Sequence, residues 1–130
     1  MKTIREISTD ILHDVLENGA YANLQLKKAL APLEHSRDRA FLTNLVYGTI
    51  HRMTPVDYQL ERFLTKPVKA RDLYLKTILR VALFELLFTA AKEHAVVNEY
   101  VNLSKKKGNP GWGKMVNGVL RNVLRQKSTL

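Results

Sequence analysis

The sequence offers few residues able to do covalent chemistry. It contains no cysteine, which removes thiol nucleophiles, thiolate metal sites and disulfides and fits a reducing compartment. The histidines His13, His35, His51 and His94 fall in no HExxH or other close ligand spacing, so no metal is expected. His35 with Asp38, and Glu93 with His94, have the residue types of an acid–base pair, but neighbours this close need only share a helix cap. Glu85 stands inside the most apolar run of the chain, where a buried carboxylate requires a partner or an upward pKa shift. Structural pairing is the favoured reading for it over a general base. The string Gly108-Asn109-Pro110-Gly111-Trp112-Gly113 is glycine-rich but lacks the GK[ST] ending and the preceding strand of a phosphate-binding loop; it reads as a turn. No catalytic set assembles and no cofactor is expected.

Binding chemistry is better represented. There are 21 basic against 12 acidic side chains, a net charge of +9, which makes a polyanion the first partner to consider. The distribution says more than the total. From residue 100 to 130 the sequence has Lys105, Lys106, Lys107, Lys114, Arg121, Arg125 and Lys127 and no acid, and phosphate attraction sums over such a local surface. Lys114, Arg121 and Arg125 are separated by seven and four positions, which puts them on one flank of a helix. Lys105, Lys106 and Lys107 read either as phosphate contacts or as a solvated helix end opposing the macrodipole, and can serve as both. Arg37, Arg39 and Arg52 are weaker candidates. Trp112 has two readings: a ring stacked on an unpaired base, or an aromatic cover over the core, which is favoured. The five tyrosines are scattered and make no aromatic sheet platform.

The elements that must position these residues are helical throughout. At 130 residues, 45% of them hydrophobic, the chain can fill the core of a single domain spanning residues 1–130. Residues 3–17 carry Ile4, Ile7, Ile11, Leu12, Val15 and Leu16 at helical spacing, with Glu6, Asp10 and Asp14 expected outside and Gly19 closing the end. A second helix is expected over 21–31, carrying Leu24, Leu26 and Leu30 and ending before Pro32. A third follows Ser36 as cap, with Gly48 tolerated at a close helix crossing. Thr54 and Pro55 mark a fourth start as cap and first helical position. Residues 71–89 form an apolar helix covered on several sides. A sixth carries Val97, Val101 and Leu103 into the lysine triplet, and after the 108–113 loop the last presents Met115, Val116, Val119, Leu120, Val123 and Leu124 inward. No segment has strand periodicity. The apolar run 81–91 is too short to span a bilayer and no targeting segment stands out at the N-terminus, so a cytoplasmic protein without membrane contact is expected.

Five strings in order carry a family resemblance: GAYANL (19–24), DRAFLTNLVYGTI (38–50), ILRVALFELL (78–87), HAVVNE (94–99) and VNGVLR (116–121). Together they span nearly the whole chain and resemble the NusB-type fold. The first two and the last are more similar to the N-terminal domain of the RsmB/Sun ribosomal RNA cytosine-5 methyltransferases than to the antitermination factor NusB, which more often has Asp after NGVL. One departure is His51, where the methyltransferase pattern usually has arginine; Arg52 follows. The resemblance implies an all-α bundle of about seven helices in two packed subbundles, without catalysis of its own, binding RNA. On the methyltransferase reading it seats small-subunit ribosomal RNA for a separate catalytic domain, absent from this sequence. On the antitermination reading it binds boxA RNA with a ribosomal protein. A helical domain that docks protein and no RNA is the third reading. Asn98, Glu99, Asn117 and Gly118 belong to the family pattern and are expected to serve helix-junction hydrogen bonding and close packing.

Overall fold

The computed structural model describes residues 1–129 and contains, among them, seven α-helices and no β-strand. The helices are α1 (Ile4–Asn18), α2 (Ala22–Leu30), α3 (Ser36–His51), α4 (Met53–Phe63), α5 (Leu73–Phe88), α6 (Glu93–Lys107) and α7 (Pro110–Gln126), with single 3₁₀ turns at Ala70–Asp72 and Lys127–Thr129. The helices α1, α2 and α3 pack on one another, α4 to α7 form a second group, and α5 joins them by touching α1, α3, α4, α6 and α7. This is the two-part bundle implied by the resemblance.

The central position of α5 follows from its composition. Ten of its 16 residues are buried, between Leu75 and Leu86, which leaves water only a narrow strip along Lys76 and Arg80 and the C-terminal Phe88. One hydrophobic cluster runs through both helix groups, with Leu12, Leu42, Leu45, Ile78, Leu79, Val96 and Leu120 fully inaccessible. Each such aliphatic side chain contributes about 1.5–3 kcal/mol by leaving water.

The ends of α1 follow the sequence. The Thr3 hydroxyl accepts the Glu6 amide at 3.1 Å, and Gly19 takes the left-handed φ of 71° that a β-carbon would disfavour. Elsewhere the boundaries depart from expectation. His35, not Ser36, precedes α3, and no side chain caps that end; the Arg39 amide bonds to the His35 carbonyl and closes the first turn. Only Arg52 separates α3 from α4, so α4 begins at Met53, before Thr54 can cap it. Pro55 still lies in the first turn, where helical amides have no intrahelical partner and a missing N–H costs nothing. The 108–113 loop shrinks to a cap: the Asn109 side chain accepts the Trp112 amide and Pro110 opens α7.

Burial adds one distinction and one correction. Leu24 is 52% exposed while Leu26 is buried, because α2 faces α1 and α3 with one side and position 24 lies about 200° away from 26 around the helix. Glu6 is only 3% exposed, against the outward acid face expected of α1. Its partners come from α6.

Candidate nucleic-acid interface

Amphipathic packing fixes the orientation of α7. Val116, Val119, Leu120 and Val123 are buried, and their burial turns Lys114, Arg121 and Arg125 toward the surface. At 100° per residue these three positions fall within about 40° of one another. None forms an ion pair with a carboxylate among the described residues. Arg121 is steadied by a hydrogen bond from its Nε to Asn117 Oδ1 at 3.1 Å, and Arg125 by one from Nη2 to Asn122 Oδ1 at 3.4 Å. Neutral partners orient the guanidinium groups and leave their charge in place.

Gly118 lies on the same flank. A β-carbon there would meet nothing within 4 Å, so the close packing expected of Gly118 is not found. Asn98, Glu99 and Asn117 are exposed as well, and the helix-junction role expected of this set is corrected: of the four, Asn117 accepts the local Arg121 bond and Gly118 leaves a bare strip of backbone between cations.

The lysine triplet divides. Lys106 Nζ reaches Glu6 Oε1 at 2.8 Å; Lys107 Nζ reaches Glu6 Oε2 at 3.1 Å and Asp10 Oδ1 at 3.3 Å. Asp10 also accepts the Tyr74 hydroxyl and pairs with Lys2 at 2.7 Å. Burial works against the Glu6 carboxylate, yet the hydrogen bonds from Lys106 and Lys107 outweigh it and hold its pKa below the ordinary value. Asp10 is lowered in the same way, burial being outweighed chiefly by Lys2 and Tyr74. Lys107 is raised: burial opposes its charge and the two acids more than compensate. Lys106 and Lys107 thus neutralise acids on α1, while Lys105 is exposed and unpaired among the described residues, its aliphatic stem lying over Gly113.

Trp112 is half-buried against the core, its ring so close to Gly108 that a β-carbon would stand 2.1 Å away. That is the favoured core-cover arrangement, on a helix and not a loop. Arg37 and Arg39 of α3, with Arg52 just beyond its end, form a separate group: α3 packs on α1, α2, α4 and α5, whereas α7 packs chiefly on α6. Arg37 is exposed. Arg39 donates from Nη1 to the Leu30 and Leu33 carbonyls, and the Arg52 guanidinium sits 4.8 Å above the Phe88 ring.

Glu85 has the structural role expected of it. Both its oxygens accept from Arg5, and Oε1 also accepts the Tyr100 hydroxyl at 2.8 Å. Sequence reasoning missed Arg5 as the partner, because it lies 80 positions away in a helix whose pattern gives no sign of it. Among the described residues, no group of three or more His, Asp or Glu side chains could hold a metal ion, and no helix is long and apolar enough to cross a membrane.

A helical bundle with a cationic, glycine-bared flank has the character of a binding domain. Comparison with known proteins gives its lineage: the NusB family model matches residues 2–125, and the chain belongs to the NusB family. It is 34% identical over 126 residues to the probable ribosomal RNA small subunit methyltransferase B of Bacillus subtilis (strain 168), covering 95% of this chain and 28% of that protein. It is 30% identical over 127 residues to the ribosomal RNA small subunit methyltransferase B of Shewanella oneidensis, covering 98% of this chain and 30% of the relative. The chain therefore spans less than a third of the length of these relatives. A chain of the solved structure "Crystal Structure of a Plectonemic RNA Supercoil" has the same fold, with a TM-score of 0.86 at 24% identity, over 97% of this chain and 94% of that one.

Proposed function

We propose that this chain is a single RNA-binding domain, without catalysis of its own, that seats small-subunit ribosomal RNA in the cytoplasm for a cytosine-5 methyltransferase domain. The observation that carries this reading is the α7 flank, where Lys114, Arg121 and Arg125 are aligned and free of carboxylate partners among the described residues. Such a row follows a phosphate backbone, positioning the RNA while contributing little base specificity. Lys105, at the end of α6 with its stem over Gly113 of α7, adds a further cation without a carboxylate partner among the described residues. Similarity to ribosomal RNA small subunit methyltransferases supports the choice of RNA and of the catalytic partner.

The test is a salt titration of binding to a small-subunit ribosomal RNA fragment, a boxA-like single strand and an unrelated RNA of equal length. Preference for the ribosomal fragment that persists as salt rises is the expected result. The variant K114A/R121A/R125A is expected to weaken all three and to reduce the slope of log K against log salt by about 0.9 for each duplex phosphate that is no longer neutralised. Unchanged affinity and slope would remove α7 from the interface. Preference for boxA would point to the antitermination role.

A further inference from the structure

Gly48 lets α3 settle against α5, and a groove runs along α3 from this crossing toward α2. Arg39, Thr43, Tyr47 and His51 follow one another at four-residue steps along its floor. Three adjoining hollows of about 370, 520 and 380 Å³ make it up. Leu30 and Arg39 line both the first and the second; Asn44, Gly48 and His51 line both the second and the third. Lys27 of α2 borders one end, and Arg52 with Phe88 borders the other. From Arg39 to Arg52 the helix rises about 20 Å, room for several nucleotides of an extended strand.

The lining combines two kinds of group. Lys27, Arg39 and Arg52 are cationic, and no carboxylate lines any of the three hollows. Aromatic faces lie between them: the Tyr47 and His51 rings are stacked 23° from parallel at 6.1 Å, and Phe88, 39% exposed, is stacked on Phe84 at 6.0 Å. Arg39 is pinned by the Leu30 and Leu33 carbonyls through Nη1 alone, and its Nε and Nη2 form no hydrogen bond among the described residues. A phenylalanine this exposed beneath a guanidinium is poorly explained by stability, because its ring remains partly in water.

We propose that this groove is a second RNA-binding surface, specific for an unpaired strand, whose bases stack on Tyr47, His51 and Phe88 while its phosphates follow Lys27, Arg39 and Arg52. The inference rests on the RNA-binding reading above and adds a site on a different face. Cations alternating with ring faces are what a single strand requires, since every base offers a π-face and stacking tolerates any sequence. A duplex keeps its bases stacked on one another and has nothing to offer the rings. The α7 flank carries no such rings, so it takes phosphates whether or not the bases are paired.

The probes are a ten-nucleotide oligouridine with one central 2-aminopurine, whose fluorescence reports stacking, and a ten-base-pair RNA duplex. Wild-type protein is expected to bind the strand and change the 2-aminopurine signal. F88A and H51A should each weaken the strand by about tenfold without altering duplex binding, and F88Y should restore it. K27A/R52A should lower the strand's salt slope by about 1.4, at 0.7 per phosphate. His51 is exposed, so H51A keeps the test valid if F88A perturbs folding. If the strand binds and neither H51A nor F88A changes its affinity or signal, the groove is overturned while the α7 reading stands. Binding of the duplex but not the strand has the same meaning. Binding of no RNA overturns both and leaves this face to a protein partner.

Discussion

Gly48 lies directly beneath the ring of Phe84: a β-carbon on Gly48 would stand 2.1 Å from Phe84 Cζ and under 3 Å from both ring Cε atoms. This approach sets the spacing of α3 and α5 and thereby the width of the groove. Glycine costs about 1 kcal/mol of helix propensity relative to alanine, so G48A should stabilise the protein if propensity decided the matter. Overpacking a buried ring costs about 1–3 kcal/mol, and Phe84 is only 4% exposed. Overpacking wins. G48A is expected to lower the urea midpoint, and F84L in the same chain to recover part of the loss. Full additivity of the two changes would contradict the close approach.

A second expectation concerns the link between α1 and α5. Among the described residues, Arg5 is the only cation bonded to Glu85, whose side chain is fully buried. Removing one partner of a buried pair leaves an uncompensated charge, at a cost of about 3–5 kcal/mol. R5M should therefore destabilise strongly in urea unfolding, while R5M/E85M should be less damaging than R5M alone. Y100F, which deletes one neutral donor to Glu85, should cost about 1–3 kcal/mol.

Acid titration should expose the cluster joining α1 to α6. The folded pKa values of Glu6 and Asp10 lie below their ordinary ones, so in the window between the two the unfolded chain binds more protons than the folded one. Stability then rises with pH across that window. The contribution is complete above the ordinary carboxylate range and is lost as pH falls through the folded values. Lys107 has the opposite sign: its raised pKa gives stability that is complete below the ordinary lysine value and lost as pH climbs through the folded one. K106A/K107A should flatten both limbs of a plot of urea midpoint against pH. Limbs as steep as those of the wild type would show that these pairs do not matter to folding.

Within the lysine triplet the effects should separate by function. K105A should weaken RNA binding and lower the salt slope by about 0.9 with little change in unfolding. K106A should chiefly lower stability at neutral pH, since its charge is opposed to Glu6. Paired measurements of RNA affinity and urea midpoint check this; equal effects on both quantities for the two variants would contradict the division.

Helical class, helix number and the central place of α5 were legible in the sequence because 3.6-residue periodicity and an all-round apolar helix have few other physical meanings. Caps were less so. Ser36 and Thr54 have the right chemistry, but chain geometry around His35 and Arg52 places the helix starts elsewhere. The α7 flank could be read from spacing, since Lys114, Arg121 and Arg125 lie on one helix. The opposite holds for Lys106 and Lys107, whose partners are about 100 positions away, a pairing that local pattern does not encode. Nor does spacing reveal a groove between α2, α3 and α5; only Arg39 and Arg52 hinted at it.

The ties between the beginning and the end of the chain bear on its synthesis. Of these seven helices α1 is synthesised before the others, yet the groups that hold it, Glu85, Tyr100, Lys106 and Lys107, come 80 to 100 residues later. Until then its buried acid and its arginine have no partners, and an isolated helix of 15 residues is marginal in water. At roughly 5–20 residues per second, the emerging chain must wait several seconds with α1 unsecured. Its folding is accordingly a late event in translation, completed when α6 clears the exit tunnel, and a nascent chain halted before α6 should remain open to protease and chaperone.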